Sequence, residues 1–350
     1  MRVIWSPAQL SYDGGVFVEN GRFVPSPETP ARVSAILAEL QHRGFPIEAP
    51  TGDDLAPILA IHDAGYVEFL RTAAARMHGS APVWTRGVTA NVPLLVPNVH
   101  PRGSWAMKPA GAVGLLGWYT GDMACEINTG TWDAAFAAAQ TAIAAARAVL
   151  QSGEMTYALC RPPGHHSGRE RAMGFCFLNN AAIAAEVLRI SVARVAILDI
   201  DVHHGNGTQE IFYDRGDVFF ASIHGDPSQF YPFYWGYPEQ VGTGDGTGTT
   251  LNVPYPLGSG DDHFLAALRT ALRGIQAFGP EALVLSFGTD AFLEDPHGRH
   301  RVGMKGFATA ARLIAELALP TVIVQEGGYP FDGLGRLTAD VLDVIGARIP

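Results

Sequence analysis

The amino-acid sequence predicts an α/β fold: a single domain over residues 1–350, in which a mostly parallel, doubly wound β-sheet lies between layers of helices. Short apolar runs alternate with helical segments, which is the pattern of a parallel sheet with crossover helices. Each apolar run ends in a polar cluster, as strands do at a ligand-binding edge. With 350 residues and 47% hydrophobic content, the chain can bury one large core.

The predicted strands are apolar enough to be buried on both faces of a sheet. They occupy 1–5, 157–160, 195–198, 218–223, 282–287 and 320–325. Helical patterns occupy 32–43, 134–150, 180–188, 261–278 and 304–317. The stretch 6–30 is rich in Gly and Pro, and we interpret it as a loop near the mouth of a site. The glycine-rich run 242–248 lacks the flanking strand and helix of a phosphate-binding loop.

Residues 80–112 form a long inserted loop in this interpretation, because they carry five prolines and two tryptophans with no sustained period. Long ordered loops are usually functional, and the apolar side chains of this one would be unfavourable in water. We therefore expect the loop to cover the rim of the active site, to form the contact of a homodimer, or both.

Composition narrows the classes of partner and compartment. The net charge of −10 and the isoelectric point near 5.6 argue against a nucleic-acid partner and favour a neutral or cationic ligand, although many acidic proteins are simply soluble. Cys125, Cys160 and Cys176 form no CxxC pair, which fits a reducing cytoplasm rather than a disulfide framework. The first residues do not have the pattern of a signal peptide, and no apolar run reaches about 18 residues, so we expect neither secretion nor a membrane span.

The stretch 197–207, ILDIDVHHGNG, is the chemical centre of the sequence. A buried strand cannot end in two carboxylates and two imidazoles unless these groups have partners, and a metal ion is the most economical partner. In an extended backbone, Asp199, Asp201 and His203 alternate onto one side, so Asp201 and His203 can share a cation. Because catalytic zinc typically takes three protein ligands and a water, a third ligand is expected elsewhere.

Other strand-like runs end in residues of complementary chemistry. His165 and His166 follow the run 157–160, Asp290 follows 282–287, and Tyr329 follows 320–325. Because the carboxyl ends of parallel strands meet at one edge of a sheet, these groups are expected to lie close together. Any one of them alone would be an ordinary structural residue, whereas the combination predicts a metal-assisted hydrolytic site.

Long motifs carry a resemblance to a known family. RPPGHH, GFCFLNNAAIAA, LDIDVHHGNGTQEIFY, SFGTDAF and QEGGY resemble the histone deacetylase superfamily. LCRPPGHH, GDVFFASIHGDP and FYPFYWGY are similar to its bacterial acetylpolyamine amidohydrolases. The resemblance implies an arginase/deacetylase fold with a sheet of about eight strands between helix layers, and a zinc-dependent amidohydrolase that removes acetyl groups from small amines.

The resemblance also implies one zinc ion (Zn²⁺) per subunit, for which Fe²⁺ or Co²⁺ could substitute. The zinc ligands would be Asp201, His203 and Asp290. Positions that match potassium (K⁺) ligands of the family are Asp199, Asp201, His203, Ser222 and Ile223 at one site. Those at a second site are Phe212, Arg215 and Val218.

Catalytic roles follow from the same resemblance. His166 is the expected general base and then the acid to the leaving amine, while His165 acts electrostatically. Asp199 and Asn206 orient His165 and His166, which fixes their tautomers. Tyr329 is the expected donor to the oxyanion.

The match to the family is less complete at the expected substrate-binding positions. Phe175 and Tyr231, with Gly174 beside them, match the walls of a tunnel suited to an alkyl chain. The family can hold a distal ammonium with glutamates, but Val113 and Ala124 occupy the matching positions. The nearby carboxylates are Glu19, Asp122 and Glu126.

Three other functions remain open at this point. A histone-deacetylase-like enzyme acting on acetyl-lysine or other acylated amines would need an open rim, which the loop 80–112 is expected to close. A two-manganese ureohydrolase would need more bridging carboxylates than this chain offers. A catalytically silent acetyl-group binder would be expected to lack a ligand, a histidine or the tyrosine, and none of these is missing.

Overall fold

The computed structural model describes residues 1–19, 22–78, 97, 99–101 and 105–347. Within this part of the chain, eight strands form one sheet and two form a separate antiparallel hairpin. The strands are β1 (Arg2–Ile4), β2 (Val16–Glu19), β3 (Arg22–Pro25), β4 (Ile47–Glu48), β5 (Thr156–Ala158), β6 (Val195–Asp199), β7 (Val218–Gly225), β8 (Thr250–Tyr255), β9 (Ala282–Phe287) and β10 (Thr321–Gln325).

The large sheet has the order β4-β1-β5-β10-β9-β6-β7-β8, and each neighbouring pair is parallel. The prediction of a parallel sheet of about eight strands is therefore confirmed. In β6 every residue is buried, which requires cover on both faces of the sheet and explains why the strand reads as a continuous apolar run.

Helices cover both faces of the sheet. They are α1 (Pro30–His42), α2 (Ala56–Ile61), α3 (Ala64–His78), α4 (Ala112–Tyr119), α5 (Thr131–Ser152), α6 (Asn180–Arg189), α7 (Asn206–Phe212), α8 (Asp261–Phe278), α9 (Met304–Ala315) and α10 (Leu334–Gly346). One core contains residues of α2 to α7, and the other contains residues of α1, α8, α9 and α10. Alternate residues of β6 supply the two cores: Val195 and Ile197 belong to the first, Ala196 and Leu198 to the second.

Some elements were not predicted from the sequence. The interpretation of 6–30 as a loop is wrong for the antiparallel strands β2 and β3, which are short runs that alternate only weakly. β4 and β8 lie at the two edges of the large sheet. β8 contains Pro254, which edge strands tolerate because one side of an edge strand donates no ladder hydrogen bonds.

The predicted loop 80–112 lies largely outside the described residues, namely at 80–96, 98 and 102–104. In its described part, Val99, Trp105 and Met107 are 67%, 84% and 88% exposed. Such exposure of large apolar side chains is uncommon and fits a contact surface. No described helix combines the length and the hydropathy that crossing a bilayer requires.

Candidate active site at the carboxyl edge of the sheet

Four central strands bring the polar clusters together. β5, β10, β9 and β6 are neighbours in that order, and in register Asp199 lies opposite Ser286 while Phe287 lies opposite Gln325. The segments that leave these strands therefore start at nearly the same level. This is the physical reason why motifs more than a hundred residues apart in the sequence form one site.

The predicted zinc ligands form a compact group in which Asp201 and Asp290 are buried and His203 is partly buried. Donor atoms of Asp201, His203 and Asp290 lie within 4.8 Å of one another, with His203 Nδ1 3.1 Å from Asp201 Oδ1 and 3.0 Å from Asp290 Oδ2. Backbone N–H groups of Val202 and Gly327 donate to the other oxygens, Asp290 Oδ1 and Asp201 Oδ2. Two carboxylates and an imidazole in a buried setting fit a divalent ion such as zinc, since the carboxylates need a counter-charge.

A second group of donor atoms lies beside the first. His165, Cys176 and Glu326 are buried, with donor atoms within 4.8 Å of one another. However, Glu326 Oε2 accepts from the backbone N–H groups of Gly164 and His165, and Glu326 Oε1 accepts from Ser286. Both oxygens of Glu326 already accept hydrogen bonds, and they fix the turn that carries the histidines. The group of Asp201, His203 and Asp290 is therefore the better candidate for a metal site.

The two histidines are held in defined tautomers. His166 Nδ1 lies 2.8 Å from Asn206 Oδ1, which only accepts, so Nδ1 carries the proton and Nε2 is free to take one. His165 Nδ1 pairs with Asp199 Oδ2 at 2.9 Å. Burial, and then the charge of His165, lower the pKa of His166 well below its usual value. Burial opposes the charged form of His165, but Asp199 and Asp201 raise its pKa to about 10.

Tyr329 is fixed through its backbone. Its N–H donates to Asp295 Oδ2 at 2.7 Å, while Arg32 Nε donates to the carbonyl of Gly328 at 2.6 Å and the guanidinium lies 4.9 Å from the Tyr329 ring centre. Gly328 has φ of 115°, and a Cβ there would lie 2.1 Å from Thr289 Oγ1. Only glycine satisfies both conditions at this position.

The site opens into an aromatic pocket with a volume of about 290 Å³. His166, His203 and Tyr329 line its floor, and Phe175 and Tyr231 form its walls. The Phe175 ring centre is 5.9 Å from that of Tyr329, and the Tyr231 ring centre is 5.1 Å from that of His166. A slender chain between the two walls would reach the metal group and the tyrosine together.

Gly174 lies beside His166 and the wall residue Tyr231, where there is no room for a side chain. It has φ of 55°, and a Cβ there would lie 2.4 Å from His166 Cδ2 and 2.8 Å from the Tyr231 hydroxyl. A larger residue would therefore displace the His166 ring or the Tyr231 hydroxyl.

Residues 26–345 match the family model described as the histone deacetylase domain, which is most of the chain. The chain belongs to the histone deacetylase family. Its relatives include acetylpolyamine amidohydrolases from Burkholderia pseudomallei (strain 1710b), 41% identical over 95% of both chains, and from Mycoplana ramosa, 40% identical over 98% of both chains. A crystal structure of acetylpolyamine aminohydrolase from Burkholderia pseudomallei matches with a TM-score of 0.93 at 40% identity, covering 99% of each chain. The resemblance drawn from the motifs is thereby confirmed.

The three carboxylates considered for a distal ammonium lie in different settings. Glu19 lines the mouth of the pocket. Asp122 also lines it, but its oxygens accept from the Tyr231 hydroxyl at 2.6 Å and from the N–H groups of Gly174 and Ala124 at 3.0 Å each. Asp122 therefore holds the wall in place.

Glu126 is fully buried and is not among the described residues that line the pocket. Burial raises the pKa of its carboxyl to about 8. The structure thus does not bring this predicted residue to the substrate.

The first group of positions that match potassium ligands of the family lies next to the candidate zinc ligands. Ser222 is opposite Asp199 in the β6–β7 register, and its hydroxyl pairs with His224 Nδ1 at 2.8 Å. In the second group, the N–H of Arg215 donates to the carbonyl of Phe212 at 3.0 Å. Ile223 and Val218 belong to the buried strand β7. Both potassium sites stay predictions.

Several functional residues were missed by the sequence reasoning. They include Arg32, Asp295, Glu326, Phe17, His297 and Arg299. Glu326 lies in the QEGGY motif, three residues before Tyr329, and this proximity could have identified it from the sequence. No local pattern marks Asp295, because its role depends on a backbone contact with a residue 34 positions away.

Proposed function

We propose that this chain is a zinc-dependent amidohydrolase that removes acetyl groups from small amines, with acetylpolyamines as the substrate class. The observation that carries the proposal is that Asp201, His203 and Asp290 lie close together next to the histidine pair, and that His166, His203 and Tyr329 line one narrow aromatic pocket. The relatives named acetylpolyamine amidohydrolase, which match over nearly the whole chain, support the choice of substrate.

When bound, the ion would polarise the acetamide carbonyl and lower the pKa of a water molecule. His166 would take a proton from the attacking water at Nε2, because Nδ1 already donates to Asn206. The same atom would then return the proton to the leaving amine. His165, charged beside Asp199, would stabilise the negative charge that develops nearby.

Tyr329 would donate its phenolic hydrogen to the oxyanion. Its position on the pocket floor and its backbone bond to Asp295 support this role. The alkyl chain of the substrate would lie between the buried ring of Phe175 and the partly buried ring of Tyr231, and the two rings would shield the reacting amide from water.

We extend the proposal to potassium binding and to the cellular compartment. Potassium beside Asp199 and Ser222 would offset the charge of the buried carboxylates at the end of β6. The three cysteines are free and buried, which supports a reducing, cytoplasmic setting.

We also propose a homodimer in which the loop 80–112 forms the contact and narrows the pocket rim. The exposed side chains of Val99, Trp105 and Met107 support an apolar contact there. Shortening the loop should yield monomers, as measured by light scattering. An intact protein that is monomeric at micromolar concentration would assign the loop another purpose.

The direct test is a comparison of steady-state rates for the zinc-loaded protein on acetylputrescine, acetylcadaverine, acetylspermidine and an acetyl-lysine peptide. We expect much higher kcat/KM on the small amines than on the peptide, because the pocket admits a slender chain. Equal rates on histone peptides would favour the alternative of a general histone-deacetylase-like enzyme.

A further inference from the structure

The mouth of the pocket carries a carboxylate and a guanidinium side by side. Glu19 ends strand β2, and Arg299 lies in the segment between β9 and α9. Arg299 Nη2 is 3.4 Å from Glu19 Oε1, with the two side chains 54% and 37% exposed. Phe175 and Tyr329, deeper in the same pocket, are only 8% and 4% exposed. A ligand that enters the pocket therefore leaves its far end beside both charges.

Glu19 is the carboxylate available to a ligand among the described lining residues. The other lining carboxylate, Asp122, already accepts three hydrogen bonds from Gly174, Ala124 and Tyr231. A distal ammonium at Glu19 would have to share that carboxylate with Arg299 and would lie close to its positive charge. A simple diamine end is thus poorly matched to this mouth.

The backbone of Arg299 is held in place, so its side chain starts from a fixed point at the mouth. Arg299 has φ of 51°, an uncommon conformation for a residue other than glycine, which persists only where surrounding contacts enforce it. The preceding N–H groups of His297 and Gly298 donate to the buried Asp295, and the Arg299 carbonyl accepts from Gly258. Such outliers are frequent where a ligand is held.

We propose that this mouth binds an ammonium and a carboxylate carried on one carbon atom, so that the preferred substrates are free amino acids acylated on a side-chain amine. The ammonium would pair with Glu19 and the carboxylate with the planar fork of Arg299. The inference rests on the proposed hydrolysis of small acetylated amines and, within that class, ranks these amino acids above the matching simple diamines. Because both charges are exposed to solvent, the preference should be moderate, roughly 3- to 10-fold in kcat/KM at low salt.

Matched substrates isolate the carboxylate. Nε-acetyl-lysine differs from acetylcadaverine only by its α-carboxylate, and Nδ-acetylornithine differs from acetylputrescine in the same way. Nε-acetyl-lysinamide keeps the ammonium and replaces the carboxylate with a neutral amide. With the zinc-loaded wild type, we expect kcat/KM to be higher for each amino acid than for its diamine. The gain should be lost in the lysinamide and reduced at high ionic strength.

Variants then assign the gain to the mouth. Arg299→Gln should bring the ratio of acetyl-lysine to acetylcadaverine close to one. Arg301→Gln, which removes an exposed charge two residues away and outside the pocket lining, should leave the ratio unchanged. A wild-type ratio at or below one, or a ratio that Arg299→Gln does not alter, overturns the inference while activity on the diamines upholds the proposed function. Hydrolysis of none of these compounds overturns both.

Discussion

The contacts that position residues on the pocket floor are buried hydrogen bonds, whereas the charged groups at the mouth face solvent. On the floor, His166 is fixed by Asn206 and the backbone of Tyr329 is fixed by Asp295. At the mouth, Glu19 and Arg299 form a longer contact of 3.4 Å between exposed side chains. Solvent and salt weaken the second kind of interaction far more than the first.

Because of this difference, we expect the floor to control mainly kcat and the mouth to control mainly KM. Groups on the floor act where charge develops during reaction, in a site from which water is largely excluded, so their loss should lower kcat. Groups at the mouth contact only the unreactive end of the substrate, so their loss should mainly raise KM. Substitutions and metal removal can test this division between floor and mouth.

Removal of the metal, or Asp290→Ala, should abolish turnover, because the site would lose either the ion or one of the three residues proposed to hold it. Elemental analysis should find one divalent ion per subunit, and adding zinc back after chelation should restore the rate. Asp332→Asn, at an exposed site, is the matched control. Full activity in protein without any divalent ion would refute the metal mechanism.

Tyr329→Phe should lower kcat by roughly 100-fold or more, the scale for one oxyanion donor. The fold and substrate binding should survive, since the ring and its backbone contacts remain. Tyr234→Phe removes a hydroxyl from an exposed tyrosine and should leave kcat unchanged. A kcat near that of the wild type in Tyr329→Phe would assign the donor role elsewhere.

Asp295→Ala should lower kcat by roughly 10- to 100-fold, because it releases the backbone of Tyr329. A smaller rise in KM is also expected, because Asp295 accepts from the N–H groups of His297 and Gly298 in the segment that leads to the pocket mouth. Asp295→Asn keeps an acceptor oxygen and should retain more activity.

A double-mutant cycle separates this positioning role from general destabilisation. In the Tyr329→Phe background, Asp295→Ala should lower kcat little further, since both changes affect the same donor. Independent, multiplicative losses would show that Asp295 does not act through Tyr329. Glu294→Gln, an exposed neighbour, serves as the control.

Glu19→Gln should raise KM for acetylputrescine by only about threefold, because the carboxylate is exposed to solvent. KM for a neutral N-alkylacetamide of the same length should not change, and high ionic strength should reduce the difference. Glu239→Gln, exposed and outside the pocket lining, is the comparison variant. A large fall in kcat in Glu19→Gln would contradict the division between floor and mouth.

Much of the site could be predicted because its residues follow strands directly. Asp201 and His203 come just after β6, and Asp290 and Tyr329 come after β9 and β10, so a parallel sheet suffices to bring them together. Arg32 could not be found in this way. It reaches the carbonyl of Gly328 across 296 positions of sequence, and nothing near it in the chain indicates that contact.

The fold class and the candidate site residues at the strand ends could be predicted from the sequence, because they follow from local patterns: apolar runs, their spacing and the residues at their ends. Glu19, Asp122 and Glu126 are similar carboxylates in the sequence, and their different surroundings became visible in the three-dimensional structure alone. One is exposed at the mouth, one is occupied by the pocket wall and one is buried away from it. Solvent exposure and hydrogen-bond partners arise from long-range packing, and these fix whether a carboxylate can meet a ligand.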